Sequence, residues 1–217
     1  MSNQVIYQLK NVQPTPISPA MMEQSDIWAS DLLLDKGKRY LVTAPSGKGK
    51  STFLHILYGL RNDYSGQVTF DNQAVEQFNL DNWAAMRQEK VSIVFQDLRL
   101  FLNLSGWENI RLKSGITNTT SDADIEAMAK RLGVDTILNQ SCGTMSYGQR
   151  QRIAIIRALC QPFEVLLLDE PFSHLDEDNI KAACTLIEEV CKAQNAGFLL
   201  VSLGESYFLS YDDSLIL

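Results

Sequence analysis

The chain has 217 residues, 45% of them hydrophobic and 21% charged, a balance that fits one ordinary folded core and excludes a disordered chain. Its 19 Lys and Arg against 26 Asp and Glu leave a formal charge of −7, the wrong sign for gripping phosphodiester backbones, so no nucleic-acid partner is expected. Clean apolar runs are of the size of Val165-Leu166-Leu167-Leu168, far short of the ~18 residues that cross a bilayer, and residues 1–10 lack a basic-then-apolar secretory pattern, so the cytoplasm is the expected compartment.

In chain order, an apolar start at residues 5–9 reads as a strand, followed by an irregular loop with Pro14, Pro16 and Pro19. Residues 39–43 read as a strand and 50–58 as a helix; 91–94 follow as a second short β-rich run. From about 97 to 147 there are helical and loop patterns, among them a helix at 122–131, but no convincing strand. A helix at 148–159, a strand at 164–168, a helix at 178–193 opened by Asp176 or Asp178, and a strand at 198–202 complete the series. Three of these strands are almost wholly apolar, as strands buried on both faces of a parallel sheet are. The alternation of strand and helix predicts an α/β class. One domain over residues 1–217 is expected, with a core of about 1–96 and 148–217 and an inserted helical subdomain of about 97–147.

Cys142, Cys160, Cys184 and Cys191 form no C-x-x-C pair and have no histidine at zinc-ligand spacing. Cys184 and Cys191 share the three-and-four rhythm of Ile180, Ala183, Ile187 and Val190, which predicts core thiols on a buried helix face.

The most informative stretch is Ala44-Pro45-Ser46-Gly47-Lys48-Gly49-Lys50-Ser51, lying between a strand and a helix. Glycines at 47 and 49 let backbone N–H groups turn around a polyphosphate, and the helix N-terminus adds partial positive charge. Lys50 is placed for the β and γ phosphates and the Ser51 hydroxyl for Mg²⁺. Ala44 departs from G-x-x-x-x-G-K-[ST], and the loop is intact only if position 44 does not need a positive φ. The apolar strand ending in Leu168-Asp169-Glu170-Pro171 supplies what the loop lacks. A carboxylate at the C-terminal end of a parallel strand points into the same crevice, Asp169 toward Mg²⁺ and Glu170 toward an attacking water.

Met145-Ser146-Tyr147-Gly148-Gln149 and the helix Arg150-Gln151-Arg152-Ile153-Ala154-Ile155-Ile156-Arg157-Ala158-Leu159 resemble the signature motif and helix of the ATP-binding cassette (ABC) ATPases. Gln96 after the 91–95 run resembles that family's glutamine loop, and Ser173-His174-Leu175-Asp176 its D-loop. The resemblance runs from residue 5 to Leu217, with five motifs in family order. It implies a P-loop NTPase fold with a mostly parallel central sheet, an antiparallel β subdomain and the helical insertion. It further implies a head-to-tail dimer with two Mg·ATP sandwiched between subunits. Residues 44–52, that is Ala44 to Ser51 together with Thr52, would bind nucleotide in one subunit, and Ser146, Gly148 and Gln149 would reach the nucleotide of the other. Ser51, Gln96 and Asp169 would hold the metal, and Glu170 with Gln96 would be catalytic. Leu98, Leu100, Phe101, Leu102, Leu104 and Trp107 read either as a docking surface for a permease helix or as the small core of the helical subdomain. The stretches 98–101 and 107–110 most resemble the lipoprotein-release, macrolide-export and cell-division branch.

The sequence departs from the family at several points. Leu203 stands where a histidine normally contacts the γ-phosphate, so hydrolysis is expected to be slow. Of the two histidines, His55 reads as a packed or surface residue and His174 lies in the D-loop segment. Where an aromatic would stack on adenine, the chain has Pro14, Thr15, Pro16 and Ile17, with Tyr7 too early. Tyr147 and Met145 replace a glycine and a leucine of the signature. The function expected is the ATP-binding subunit of an ABC transporter, peripheral on the cytoplasmic face of the membrane, driving a separate permease and pairing with a second ATP-binding subunit. The alternative is an ATP-binding regulatory module with little or no hydrolysis. A cassette acting on DNA or ribosomes would predict coiled-coil insertions or basic arms, which this acidic sequence lacks.

Overall fold

A computed structural model describes residues 4–217. The elements in order are β1 (Val5–Pro14), α1 (Pro19–Met22), β2 (Asp31–Asp35), β3 (Arg39–Thr43), α2 (Lys50–Leu57), β4 (Tyr64–Phe70), β5 (Gln73–Ala74), α3 (Leu80–Glu89) and β6 (Val91–Val94). After them come α4 (Gly106–Thr117), α5 (Asp122–Arg131), α6 (Tyr147–Leu159), β7 (Val165–Asp169), α7 (Glu177–Gln194), β8 (Gly197–Ser202) and β9 (Asp213–Ile216). Five strands form a sheet in the order β6-β7-β8-β3-β9, and its pairings are parallel. A second, antiparallel sheet runs β2-β1-β4-β5.

Unbroken apolar runs become the inner strands because each of their faces meets a different core. On β7, Leu166 and Leu168 belong to one cluster with α5, α6 and α7, while Val165 and Leu167 belong to another with α2 and the antiparallel sheet. β8 repeats the division, with Phe198 and Leu200 on the first side and Leu199 and Val201 on the second. β2 instead alternates, burying Leu32 and Leu34 and exposing Asp31 and Leu33, the pattern of a strand covered on one face.

The predicted strands at 39–43, 91–94, 164–168 and 198–202 and all four predicted helices are present within two residues of the expected bounds, and Asp176 is the cap of α7. β1 runs on to Pro14, beyond the predicted 5–9, and shifts register against β4 between Lys10 and Gln13. β2, β4, β5, β9, α3 and α4 carry weaker signals. β2 and β9 open on aspartate, β4 exposes much of its length around Gly66, and α3 buries only Met86. Between β6 and α6 lie α4, α5 and short 3₁₀ turns, with one bridge between Ser105 and Ser141. Among the described residues no helix is long and apolar enough to cross a membrane. The four cysteines are free and buried in the cluster around α6 and α7.

Parallel register sets the site. Val42 of β3 pairs with Val201 of β8, and Val201 pairs with Asp169 of β7, so three strands end in one row. The loop after Thr43 and the acids at the end of β7 therefore open into the same crevice beyond the strand ends.

Candidate functional site

The segment 44–49 links the end of β3 to the first turn of α2. Gly47 and Gly49 take φ of +80° and +98°, whereas Ala44 keeps a negative φ, so the alanine costs the loop nothing in backbone strain. A Cβ on Gly49 would stand 2.4 Å from Ile17 Cδ1, a second reason for glycine there. Side chains of Asn79, Ser105, Ser121, Ser146 and Asp176 cap α3 to α7, but α2 begins at Gly49 with no side-chain cap. Its first-turn N–H groups remain available to an anion.

Lys50 is buried, and its Nζ donates to the carbonyls of Ala44 at 3.1 Å and Pro45 at 3.2 Å while pairing with Glu170 Oε1 at 3.3 Å. The other Glu170 oxygen accepts from Gln96 Nε2 at 3.4 Å. Glu170 itself adopts φ +46° and donates its N–H to the Val201 carbonyl at 3.0 Å. Beside it Asp169 is 2% exposed, and its Oδ1 has no hydrogen-bond partner. Burial pushes this carboxyl up to about 6, with the Ser51 contact and the Lys50 charge opposing and the negative Glu170 reinforcing. An ionisable oxygen left bare in the interior is costly unless a cation completes it. One carboxylate, the Ser51 hydroxyl and the Gln96 amide are the oxygen donors that suit Mg²⁺ arriving with phosphates, so the residues present fit that metal.

Ser46, Gly47, Gly49, Lys50, Ser51, Thr52, Gln96 and Glu170 line one open cleft of about 280 Å³, with Pro16 and Ile17 on its remaining wall. Ala44 sits buried behind the loop as a carbonyl acceptor for Lys50, and Pro45 and Lys48 lie outside the lining. Ser146, Gly148 and Gln149 are also outside it, gathered at the N-terminus of α6. There the Ser146 hydroxyl accepts from the Gln149 N–H while Gln149 Oε1 accepts from the Ser146 N–H, a reciprocal cap. A Cβ on Gly148 would meet the His174 carbonyl at 2.9 Å, so glycine is what lets the 173–176 segment lie against the helix. Met145 is buried in the core, as the leucine it stands for would be.

Two residues that sequence reasoning did not single out join these parts. Buried Gln151 accepts from the His174 N–H at 3.3 Å and reaches the Glu170 carbonyl at 3.5 Å; a glutamine on the apolar face of α6 was its only signal. Arg157 donates to the carbonyls of Leu98 at 2.6 Å and Arg99 at 2.7 Å, fixing a turn whose residues take positive φ. Tyr7 is in the core, donating to the Leu57 carbonyl at 2.9 Å, and His55 packs near the Phe95 ring with its basicity lowered by burial. Leu203, just past β8, is 52% exposed and offers no polar atom to the site beyond its backbone.

The protein-family model described as "ABC transporter" matches residues 29–173. The chain belongs to the ABC transporter family. It is 35% identical over 174 residues to the lipoprotein-releasing system ATP-binding protein LolD of Buchnera aphidicola subsp. Schizaphis graminum, covering 79% of this chain and 76% of that protein. The thiamine import ATP-binding protein ThiQ of Aliivibrio fischeri is 36% identical over 181 residues, with 82% and 75% covered. The bacterial ABC transporter cassette MJ0796, solved as a dimer, superposes with a TM-score of 0.79 at 25% identity over 91% of this chain and 88% of that one. The same cassette in a post-hydrolysis state bound to ADP and Pi gives 0.78. This family member is thus the ATP-binding subunit of an ABC transporter and an ATPase by class.

Proposed function

We propose that this cassette binds Mg·ATP in the cleft between the 44–49 loop and Glu170, hydrolyses it slowly, and does so as a head-to-tail dimer that drives a separate permease. The observation that carries the reading is the meeting of Lys50, Glu170 and Gln96 beside a buried Asp169 oxygen with no partner. Lys50, already held among oxygen atoms, would exchange its carboxylate for phosphate oxygens, and the uncapped amides of α2 would receive the remaining negative charge. Freed from Lys50, Glu170 would accept the proton of the attacking water, while Gln96 keeps its carboxylate oriented. Ser51, Gln96 and Asp169 would hold Mg²⁺, which when bound neutralises charge on the phosphates.

The dimer is supported by geometry within one chain. Ser146, Gly148 and Gln149 present a second helix N-terminus suited to an anion, yet they stand apart from the cleft, as expected if they serve a second subunit's nucleotide. Leu203 supports the slow rate, since a leucine side chain can neither donate nor accept at the γ-phosphate. The same observation is the ground for the second reading, a regulatory module that binds ATP and barely turns it over.

Of the apolar residues after Gln96, Leu98 is buried and Leu100 and Trp107 pack on the core, while Phe101 is 61% and Leu102 47% exposed. The phenyl and isobutyl groups left outside support a permease-docking surface next to the site, with the cassette held at the cytoplasmic face of the membrane. Residues 1–217 are read as one cassette domain with residues 97–147 as its helical insertion. LolD and ThiQ are named for releasing lipoprotein and importing thiamine, opposite tasks, which supports a cargo set by the permease and not by the cassette. The test is Mg·ATP turnover by the purified protein beside Glu170→Gln. Turnover lost in the variant bears the reading out; equal rates in both would remove Glu170 from the reaction, and ATP binding with no turnover in either would leave the regulatory module.

A further inference from the structure

Tyr147, the first residue of α6, touches two segments remote from it in sequence. Its hydroxyl donates to the main-chain carbonyl of Gln96 at 2.7 Å, and its ring centre lies 4.1 Å from that of His174 at an interplanar angle of 43°. On the same ring, the Arg150 guanidinium stands 5.4 Å from the centroid. Gln96 in turn donates its side-chain amide to Glu170 at 3.4 Å. The phenol is therefore one residue removed from the acid of the proposed reaction.

The segment that carries Gln96 is anchored on either side of it, by Phe95 against the His55 and Tyr58 rings and by buried Leu98, whereas the contact on the Gln96 carbonyl itself comes from Tyr147. The segment comes after β6 and leads at once into the Leu98–Arg99 turn, where two positive-φ residues in succession make an intrinsically unfavourable backbone. α6 holds it at two points, through Tyr147 on the Gln96 carbonyl and through Arg157 on the Leu98 and Arg99 carbonyls. A helix of thirteen residues, largely buried from Gln151 onward and packed in the core through Ile153 to Leu159, is a rigid splint for such a turn. Burial raises the phenol above its ordinary range, so it remains a donor throughout neutral pH.

We propose that Tyr147 is a positioning residue for hydrolysis: by tying the Gln96 carbonyl to the end of α6, it keeps the Gln96 amide on Glu170 and carries any shift of α6 to that acid. The proposal rests on the reading of Glu170 and Gln96 as the hydrolytic pair. A ring that merely filled space over His174 would not need its hydroxyl, and this separates the two accounts.

The experiment compares wild type, Tyr147→Phe, Tyr147→Gly and Glu170→Gln by Mg·ATP kinetics, thermal midpoint and amide hydrogen exchange over residues 95–99. Tyr147→Phe keeps the ring and loses one hydrogen bond, worth roughly a three- to tenfold effect. The expected result is a fall in kcat of about that size, with KM for Mg·ATP within about twofold because Lys50, Ser51 and the loop amides are untouched. Exchange over 95–99 quickens while the thermal midpoint holds, and Tyr147→Gly falls at least as far in kcat. Wild-type kcat in Tyr147→Phe, or a lowered kcat with no change in exchange, overturns the proposal. If Glu170→Gln turns over like wild type, the hydrolytic reading has failed; exchange over 95–99 then decides whether Tyr147 holds the segment, and unchanged exchange overturns that as well.

Discussion

Lys50 Nζ and Glu170 Oε1 lie 3.3 Å apart, so the cation suited to phosphate and the acid suited to water are each other's counter-ions. Glu170→Gln removes the charge that Lys50 gives up when phosphate arrives. Mg·ATP is expected to bind as tightly as in wild type or tighter, while turnover falls by roughly two orders of magnitude or more. Equilibrium binding and steady-state phosphate release on the same preparation check both halves. Weaker binding in the variant would contradict the exchange of partners described for Lys50.

Asp169 yields a prediction in pH. Its carboxyl is pushed up to about 6 by burial, above the value of about 3.9 for an unfolded aspartate. The folded chain binds this proton more tightly than the unfolded chain, so stability is greatest below about pH 4 and declines as pH rises through about 6. Asp169→Asn is expected to gain about 3 kcal/mol at pH 7.5 without Mg²⁺, almost nothing near pH 4, and to lose Mg²⁺-dependent turnover. Denaturant unfolding at the two pH values measures the difference. An equal gain at both would assign it to something other than this charge.

The exposed Leu203 gives the simplest gain-of-function test. Leu203→His restores a polar group beside the end of β8, where Ala44 donates to the Ser202 carbonyl at 3.3 Å and so ties this strand end to the phosphate loop. Turnover is expected to rise about tenfold or more. No acceleration would mean that the slow rate has another origin.

Gly148 is fixed by contact and not by backbone conformation. Gly148→Ala places a Cβ 2.9 Å from the His174 carbonyl, a main-chain atom that cannot swing aside. The variant is expected to lose about 1–2 kcal/mol of stability and to turn over more slowly, because α6 and the 173–176 segment must part. Thermal unfolding alongside turnover tests this, and a variant matching wild type in both would show that the segment moves freely.

The thiols provide a check on the core. Burial pushes Cys160 and Cys191 up to about 12 and Cys184 to about 11, and Cys142 is likewise raised. A thiol-specific reagent at pH 8 is expected to modify none of the four in the folded chain and all of them in denaturant. Rapid labelling of any one in the folded chain would place it outside the core.

How much of the fold and site is legible in the sequence depends on where each signal resides. β6, β7 and β8 are legible because burial on two faces makes them mostly apolar, as in Leu166-Leu167-Leu168, and the few polar residues they bury, such as Ser92, are hydrogen-bonded or stand at the strand end. β2 is harder, since Asp31 and Asp35 close a strand of five residues and only Leu32 and Leu34 mark its inner face. The loop and the two acids are readable because consecutive residues carry the chemistry. Ala44 can be judged only from its φ, which no residue name discloses. Tyr147 is visible as a departure from its motif, but its role lies in a bond to Gln96, 51 positions away, and only the approach of α6 to the end of β6 brings the two together.

Glu170 stands at φ +46°, where a residue bearing a side chain gives up roughly 1 kcal/mol against glycine. Folding strength and working capacity therefore pull this position in opposite directions. A library of this cassette screened only for survival of heating would drift toward glycine or asparagine at position 170. Its hardiest members would be expected to hold ATP without splitting it.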